Sequence, residues 1–535
     1  MAKTVPNRLC VLKKETPDRE LYIFYDTDFH RTSISISELW DLSSRLAHIL
    51  VSKGLQRGDV VACSVPTSLE LAVCYHGVIL AGGVAFVTEA TKEAPQQFTH
   101  FINTSRAKFL ILCAKENDLT YTQHAHCLGE VTDDLGMSSF HDLGMPSVTT
   151  VLCVERQGKV SQFLALLARY PSVYVDEELP ETSIATLSTT SGTTGVPKLV
   201  MRTHRSYIED ADAGGFIPQW PGKKTFMNSP FSWIVGSLLD ILDGYTRVQV
   251  DMWTPPENLH KLNAEIITRE PVRSAFLTPP EVQGLLEYFS DVDNKPFDAV
   301  VSAGFLLTRQ ICEMFLKISH QLTMRYGASE GASVSFKVHR SSENFQDFNC
   351  GQLIKGTRVK FVNEDGTEMA PGIPGKLMLQ MPGLFSGYMG QEELNKKVLT
   401  SDGWFVNNDI GYLDKEGDLF VIGRYDNVIR KNGQMVYPSL VEKAIRQHPM
   451  VDSVIVVPIT EEGNQPKICA CVVGKAYSTL TRDEVIKMVE LEAAKDGGVL
   501  TPPDLVLFLD SIPMNSRGKI KVSSVVQAVQ AKLQL

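Results

Sequence analysis

Leu187-Ser188-Thr189-Thr190-Ser191-Gly192-Thr193-Thr194-Gly195-Val196-Pro197-Lys198 is a hydroxyl- and glycine-rich stretch that closes on a single lysine. Serine and threonine hydroxyls and unhindered glycine amides all donate to phosphate oxygens, and Lys198 adds a movable positive charge. The stretch therefore reads as a loop that holds the phosphates of a nucleotide. It lacks the P-loop spacing G-x-x-x-x-G-K-[ST], because Gly192 and Gly195 stand too close together and Lys198 is followed by Leu199. A P-loop kinase or GTPase loses ground. The same residue types also build ordinary surface turns, so the stretch alone leaves that alternative open.

Working outward, four further segments follow in order: Arg325-Tyr-Gly-Ala-Ser-Glu330, Gly403-Trp-Phe-Val-Asn-Asn-Asp409, Gly423-Arg-Tyr-Asp426 and Asn515-Ser-Arg-Gly-Lys-Ile520. Their order and spacing resemble the adenylate-forming superfamily of acyl-CoA synthetases, 4-coumarate-CoA ligases, beetle luciferases and peptide-synthetase adenylation domains. The resemblance runs from near Glu20 to the C-terminus, and five ordered motifs are far more specific than any one of them.

The resemblance implies an α/β fold: a large multi-layer N-terminal domain of sheets and helices over residues 1–425, and a small mobile α+β C-terminal domain over 426–535. The strand-like run Asp418-Leu-Phe-Val-Ile422 just before Gly423 places a boundary there, and the remaining segment is long enough for its own domain. The superfamily's hinge falls on Asp426.

Joining a carboxylate to the α-phosphorus of ATP brings two negative groups together, so cations must be aimed at the developing charge. In the superfamily the hydroxyl-rich loop closes over the β- and γ-phosphates, which assigns Thr190, Ser191, Gly192, Thr193, Thr194 and Lys198 to that task. Leu199 stands where the family usually has glycine. Tyr326 and Gly327 would flank adenine, Ser329 would offer a hydroxyl to the α-phosphate in place of the usual threonine, and Glu330 would ligate Mg2+. Ser302-Ala-Gly-Phe305 resembles the segment along which adenine and substrate lie, with Gly304 permitting close backbone approach and Phe305 replacing a frequent proline. Asp409 matches the carboxylate that accepts from both ribose hydroxyls, beside Asn408 where glycine is usual.

Arg424 matches an arginine at ribose and phosphate. Arg430 falls where the family often has lysine, and Gly433 would line the tunnel for the pantetheine arm of coenzyme A. Met435 and Asn432 depart from the glutamine and lysine of the coumarate ligases. Lys519 matches the mobile lysine that bridges carboxylate and phosphate during adenylation; an exposed surface lysine is the ordinary alternative. Pro230-Phe-Ser-Trp-Ile-Val-Gly236 resembles the acid-pocket segment, with Trp233 at an aromatic gate and Val235 beside it. Ser232-Trp233 replaces the paired histidines of luciferases, and packing of Trp233 in the core is the ordinary alternative.

The resemblance thus implies ATP, Mg2+ and coenzyme A, and a small carboxylic acid as partner. No charged residue in the aligned pocket segments would receive an amino acid's ammonium group, so an apolar acid, fatty or aromatic, is expected. The alternative is an adenylating enzyme that passes its acyl group to an amine, an alcohol or a carrier protein.

Composition agrees with an ordinary globular chain: 535 residues, 43% apolar, and too long for one core. A formal net charge of −10 with no dense basic stripe argues against a nucleic-acid partner. The N-terminus lacks the apolar core of a secretory signal, so an intracellular, cytoplasmic protein is expected. The final Lys532-Leu-Gln-Leu535 is not a peroxisomal tripeptide of the S-K-L type. Leu69 to Val87 is the most apolar stretch, but Glu70, His76 and Gly82-Gly83 predict a buried helix followed by a strand, not a membrane span. The ten cysteines show no C-x-x-C pair, which fits reduced thiols better than a disulfide framework. Cys469 and Cys471 would share one face of a strand.

Overall fold

The apolar stretch at Leu69 forms a helix, Leu69–Leu80, then a turn at Gly82 with φ of +74°, and a strand, Val84–Val87. This is the expected helix and strand, seen in a computed structural model that describes residues 2–533 except 89–94, 115–117, 132–136, 143, 174–177, 191–196, 215–223, 234–237, 290–293, 332, 461–464, 477, 495–499 and 514–521. Ser68 caps the helix by accepting from the Leu71 amide, and every residue from Glu70 to Leu80 is buried. A helix that is apolar on all sides must be enclosed. Here it lies with the helix Ile36–Ser52 between two sheets, in one core that joins Tyr22 and Phe24 of the first sheet to Val61 and Cys63 of the second. The helices touch closely at Gly77, where an added Cβ would lie 2.8 Å from Leu46 Cδ2. No helix among the described residues is long and apolar enough to cross a membrane.

The first sheet has a parallel half and an antiparallel half. Glu20–Tyr25, Thr246–Val250, Lys224–Phe226, Ser274–Phe276, Ala299–Ala303 and Leu322–Tyr326 run parallel in that spatial order. Their burial on both faces accounts for β-branched and apolar runs without clean alternation; the helices Leu259–Arg269, Pro279–Leu285 and Arg309–Ile318 close the second face. Ser335–His339 then pairs antiparallel, and the sheet continues through Asn349–Leu353, Leu419–Arg424, Phe405–Leu413, Gly375–Gln380 and Arg358–Val362. The second sheet carries Leu199–Thr203, Ile184–Thr189, Val84–Val87, Val60–Ser64, Phe109–Cys113 and Thr150–Val154 in that order, with two short strands beyond.

Beyond the turn Tyr425–Asn427, the strands Val451–Ile459, Lys467–Gly474 and Leu505–Phe508 form a separate small sheet with helices Pro438–Arg446, Arg482–Ala493 and Val522–Leu533. Strand alternation divides its apolar residues between two cores: Ile468, Ala470 and Val472 enter one, and Cys469 and Cys471 the other. The two sulfurs lie 4.0 Å apart as free thiols, on one face as the sequence implied. A large α/β domain and a smaller C-terminal one are thus both present, as expected.

Candidate active site

Three loops leave the carboxyl ends of parallel strands in the first sheet and so lie on the same side of it. Ligand crevices in open α/β sheets lie outside such strand ends. Ala299–Ala303 runs into Gly304, whose φ of +84° suits glycine and above which an added Cβ would meet nothing within 4 Å. Leu322–Tyr326 runs into Gly327, Ala328, Ser329 and Glu330, all half-buried, and the Gly331 amide closes the turn onto the Ala328 carbonyl at 3.1 Å. Lys224–Phe226 leads to Pro230, whose carbonyl accepts from the amide of half-buried Trp233 at 3.0 Å. Val235 lies outside the described residues.

The hydroxyl-rich loop is the connection of a hairpin between Ile184–Thr189 and Leu199–Thr203. Its neck is closed twice: the Thr190 amide donates to the Lys198 carbonyl at 3.0 Å, and the Lys198 amide to Thr190 Oγ1 at 3.1 Å. Ser191, Gly192, Thr193 and Thr194 lie outside the described residues. Lys198 Nζ stands 5.0 Å from the centre of the Tyr388 ring, a cation–π contact. The Tyr388 hydroxyl donates to Glu330 Oε1 at 2.6 Å. Burial first, and then the Glu330 charge, push the phenol of Tyr388 well above its usual range, so it remains a donor.

Sequence reading missed Tyr388. It reaches the site because residues 386–389 zip against Leu199–Thr203: the Ser386 amide donates to the Met201 carbonyl, and the Met389 amide to the Leu199 carbonyl, each at 2.9 Å. The Phe385 amide also donates to the Glu330 carbonyl at 2.7 Å. These pairings cross more than fifty residues and leave no local signal.

Asp409 and Arg424 face one another across the antiparallel strands Phe405–Leu413 and Leu419–Arg424. Arg424 Nη1 lies 3.2 Å from Asp409 Oδ1, while the Tyr326 hydroxyl donates to Oδ2. Asn407, also missed, donates its amide to that hydroxyl at 3.1 Å; its position two residues before Asp409 on one strand face was the available clue. Burial, with the Asp409 charge next, raises the Tyr326 phenol well above its usual range. The Arg424 charge opposes that rise at Tyr326 and at Tyr388. Six residues thus converge: Lys198, Tyr388, Glu330, Arg424, Asp409 and Tyr326.

Arg430 is placed differently. It pairs with Glu364 at 2.8 Å and lies 5.0 Å from the Tyr425 ring, and Tyr425 donates its hydroxyl to the same carboxylate at 2.9 Å. Arg430 and Tyr425 hold Glu364 well ionised. Asp426 sits in the turn Tyr425–Asn427, where its carboxylate accepts from the Asn408 side-chain amide. Asn432 and Gly433, with φ of +51° and +78°, form the two-residue turn between Ile429–Lys431 and Gln434–Val436. Positive φ at both positions is what an Asn-Gly hairpin turn requires. Lys519 lies outside the described residues.

Among the described residues no cluster of three or more histidine, cysteine or acidic side chains forms a metal cage. Glu330 is instead a single half-buried carboxylate beside a lysine-bearing loop. Mg2+ in phosphate-transfer sites is usually held by one or two carboxylates and the substrate's own phosphates, so this donor set fits an ion that arrives with the nucleotide.

The profile of the AMP-binding enzyme family matches residues 12–389, and that of the AMP-binding enzyme C-terminal domain matches 440–519. Relatives include a long-chain-fatty-acid–CoA ligase of Escherichia coli O157:H7, 26% identical over 89% of this chain and 86% of its own length. A 3-hydroxybenzoate–CoA ligase of Aromatoleum sp. (strain CIB) is 25% identical over 91% and 90% of the two chains. Among solved structures, ATP-bound MatB from Rhodopseudomonas palustris superposes with a TM-score of 0.80 at 20% identity, covering all of both chains. The anthranilate CoA ligase AuaEII with anthranoyl-AMP gives 0.78 at 17% identity, over 99% and 98% of the chains.

Proposed function

The chain belongs to the AMP-binding enzyme family, and on that premise we propose that it is an ATP-dependent acid–CoA ligase acting on an apolar, fatty or aromatic, carboxylic acid. The convergence of Lys198, Glu330, Asp409 and Arg424 around buried Tyr388 and half-buried Tyr326 carries this reading. The relatives named as CoA ligases support thioester formation as its outcome.

In the first step a carboxylate oxygen attacks the α-phosphorus, the bond to the bridging oxygen breaks, and pyrophosphate leaves. Lys198 and the loop hydroxyls receive the β- and γ-phosphates, and Tyr388 holds the Glu330 carboxylate in place from below. Mg2+, held by Glu330 and the phosphates, would supply neutralisation of the charge on the departing pyrophosphate. Asp409 accepts the ribose hydroxyls while Arg424 and Tyr326 fix its orientation. Lys519 brings its ammonium to the attacking carboxylate. In the second step the coenzyme A sulfur attacks the acyl carbon and AMP departs.

The two steps share one site through a turn of the segment 426–535 about Asp426. The Asn408 contact to Asp426 and the Glu364 contact to Arg430 span the junction and would have to part in that turn. Trp233 and Gly304 line the acid pocket, and the open space above Gly304 leaves room for the acyl group. An amino-acid substrate would need a buried carboxylate partner there.

The test is incubation with ATP, Mg2+ and a panel of carboxylic acids, following pyrophosphate and thioester with and without coenzyme A. A thioester with an apolar acid is expected. Pyrophosphate with retained acyl-adenylate and no thioester would assign the acyl group to another acceptor.

A further inference from the structure

Past the strand Lys224–Phe226 the chain runs through Met227, Asn228, Ser229, Pro230 and Phe231 to Trp233. Met227, Ser229 and Phe231 are buried, and Asn228, Pro230 and Trp233 are half-buried. Carbonyl groups on such a segment must find donors inside the protein. Arg247, on the adjacent strand Thr246–Val250, supplies them. Its side chain is 1% exposed; Nε donates to the Met227 carbonyl at 3.3 Å, Nη2 donates to the Ser229 carbonyl, and the guanidinium lies 4.8 Å from the centre of the Phe231 ring. One side chain therefore grips residues 227, 229 and 231.

The segment is held from other sides as well. The Phe231 ring meets Tyr22 at 5.8 Å and Tyr75 at 5.6 Å between ring centres, and the Tyr22 hydroxyl is hydrogen-bonded with His76 Nε2 at 2.8 Å. Asn228 accepts from the Val250 amide at 3.0 Å and donates to Asn263 Oδ1 at 2.8 Å. The Met227 side chain packs in a small cluster with Tyr245, Phe276, Ala299 and Val301, against which Ala303 also rests, and the Tyr245 hydroxyl donates to Met227 Sδ at 3.8 Å. Ala303 is the residue before Gly304. The Arg247 fork thus joins the path to Trp233 with the cluster from which Gly304 rises, the two residues read above as lining the acid pocket.

We propose that Arg247 is a positioning residue for the carboxylic acid: it sets the path of residues 227–231 and so holds Trp233 against the acyl group at Gly304. The inference rests on the reading of Trp233 and Gly304 as the acid pocket. Arg247 lies behind the segment and acts through it. A guanidinium presents its donors in fixed directions, so it can serve two carbonyls two residues apart while its face rests on a ring. A lysine ammonium is a compact charge on a flexible stem and gives neither the fork nor the flat face. Arg247→Lys therefore keeps the charge in the core and loosens the segment, which separates geometry from charge.

The test measures thioester formation from octanoate and from benzoate, with steady-state constants for each acid and for MgATP, in wild type, Trp233→Ala, Arg247→Lys and the double variant. Conversion of neither acid by the wild type would refute the functional reading itself. Trp233→Ala should raise the KM of the acid and spare that of ATP; an unchanged KM of the acid would refute the pocket reading and the proposal with it. Arg247→Lys is expected to raise the KM of the acid about tenfold, the scale of a sub-ångström misplacement, with the KM of ATP essentially unchanged. Because the effect passes through Trp233, adding Arg247→Lys to Trp233→Ala should cost little more than Trp233→Ala alone. General loosening of the core would not produce that non-additivity. If Arg247→Lys does not fold, Phe231→Leu, which removes the ring under the guanidinium and leaves the fork, should shift the KM of the acid the same way by a smaller factor. With Trp233→Ala behaving as expected, an equal rise in both KM values, unchanged constants in Arg247→Lys, or fully additive losses in the double variant would overturn the role of Arg247 and leave the pocket reading standing.

Discussion

Asp409 is the residue on which most of the site's electrostatics turn, since one oxygen faces Arg424 and the other accepts from Tyr326. An asparagine has one accepting oxygen and a donating NH2 in place of the second, and a hydrogen bond to a charged group contributes roughly 1.5–3 kcal/mol. Asp409→Asn is therefore expected to raise the KM for ATP about tenfold or more while leaving the KM for the acid nearly unchanged, as steady-state kinetics would show. A second prediction concerns stability. Burial lowers the pKa of His76 to about 3, from an ordinary 6.5, and raises that of Asp240 to about 6, from 3.8. The signs are opposite. His76 must be neutral in the fold, so its contribution is complete above pH 6.5 and is lost as pH falls towards 3. Asp240 is held protonated, so its contribution is complete below about 3.8 and is lost as pH rises through about 6. Urea unfolding between pH 6.5 and 4 should accordingly show a shallower loss on acidification in His76→Gln and a steeper one in Asp240→Asn.

At the scale of elements, the site depends on how closely the helix His204–Asp212 can approach the segment that starts at Gly383. The φ of +71° there already favours glycine, and the Ser206 carbonyl lies 2.5 Å from where a Cβ would sit. Gly383→Ala is expected to cost about 1–3 kcal/mol by overpacking and to weaken ATP binding together with stability, because Tyr388 moves with that segment. Thermal unfolding and ATP affinity measured on the same sample check both. A gentler change belongs to the junction at Tyr425–Asn427. Glu364 accepts there from Tyr425 and pairs with Arg430 at an exposed position, so Glu364→Ala should leave the melting temperature almost unchanged. It should nevertheless speed proteolytic cleavage near Tyr425–Asn427, since two contacts that hold the turn against the first sheet are gone.

For the whole molecule, the proposed reaction has the small domain serve two chemical steps at one site in two orientations. The proposed role of Lys519 exists in only one of them. Lys519→Ala should therefore slow acyl-adenylate formation by about a hundredfold or more, the scale of removing one charge-stabilising donor, while a supplied acyl-adenylate is still thiolysed at close to the wild-type rate. Equal losses in pyrophosphate exchange and in thiolysis would refute that division of labour.

The family was legible in the sequence through the ordered motifs that carry the resemblance, and Tyr326, Glu330, Asp409 and Arg424, named there as candidates, are placed by the fold within one set of contacts. The buried helix Leu69–Leu80 was legible too, since its lack of a polar face can be read from its own residues. Tyr388, Asn407 and the burial of Arg202 were not legible. Nothing in the neighbourhood of Tyr388 marks it as a partner of Glu330, and Arg202 reads as an ordinary strand residue until the fold encloses it. The sequence by itself determined which groups the chain can offer to a nucleotide and in what order along the chain they occur. Only the tertiary structure decided which of them meet and which are buried, because pairing across distant strands and removal of side chains from water arise on folding and leave no periodic mark in the chain.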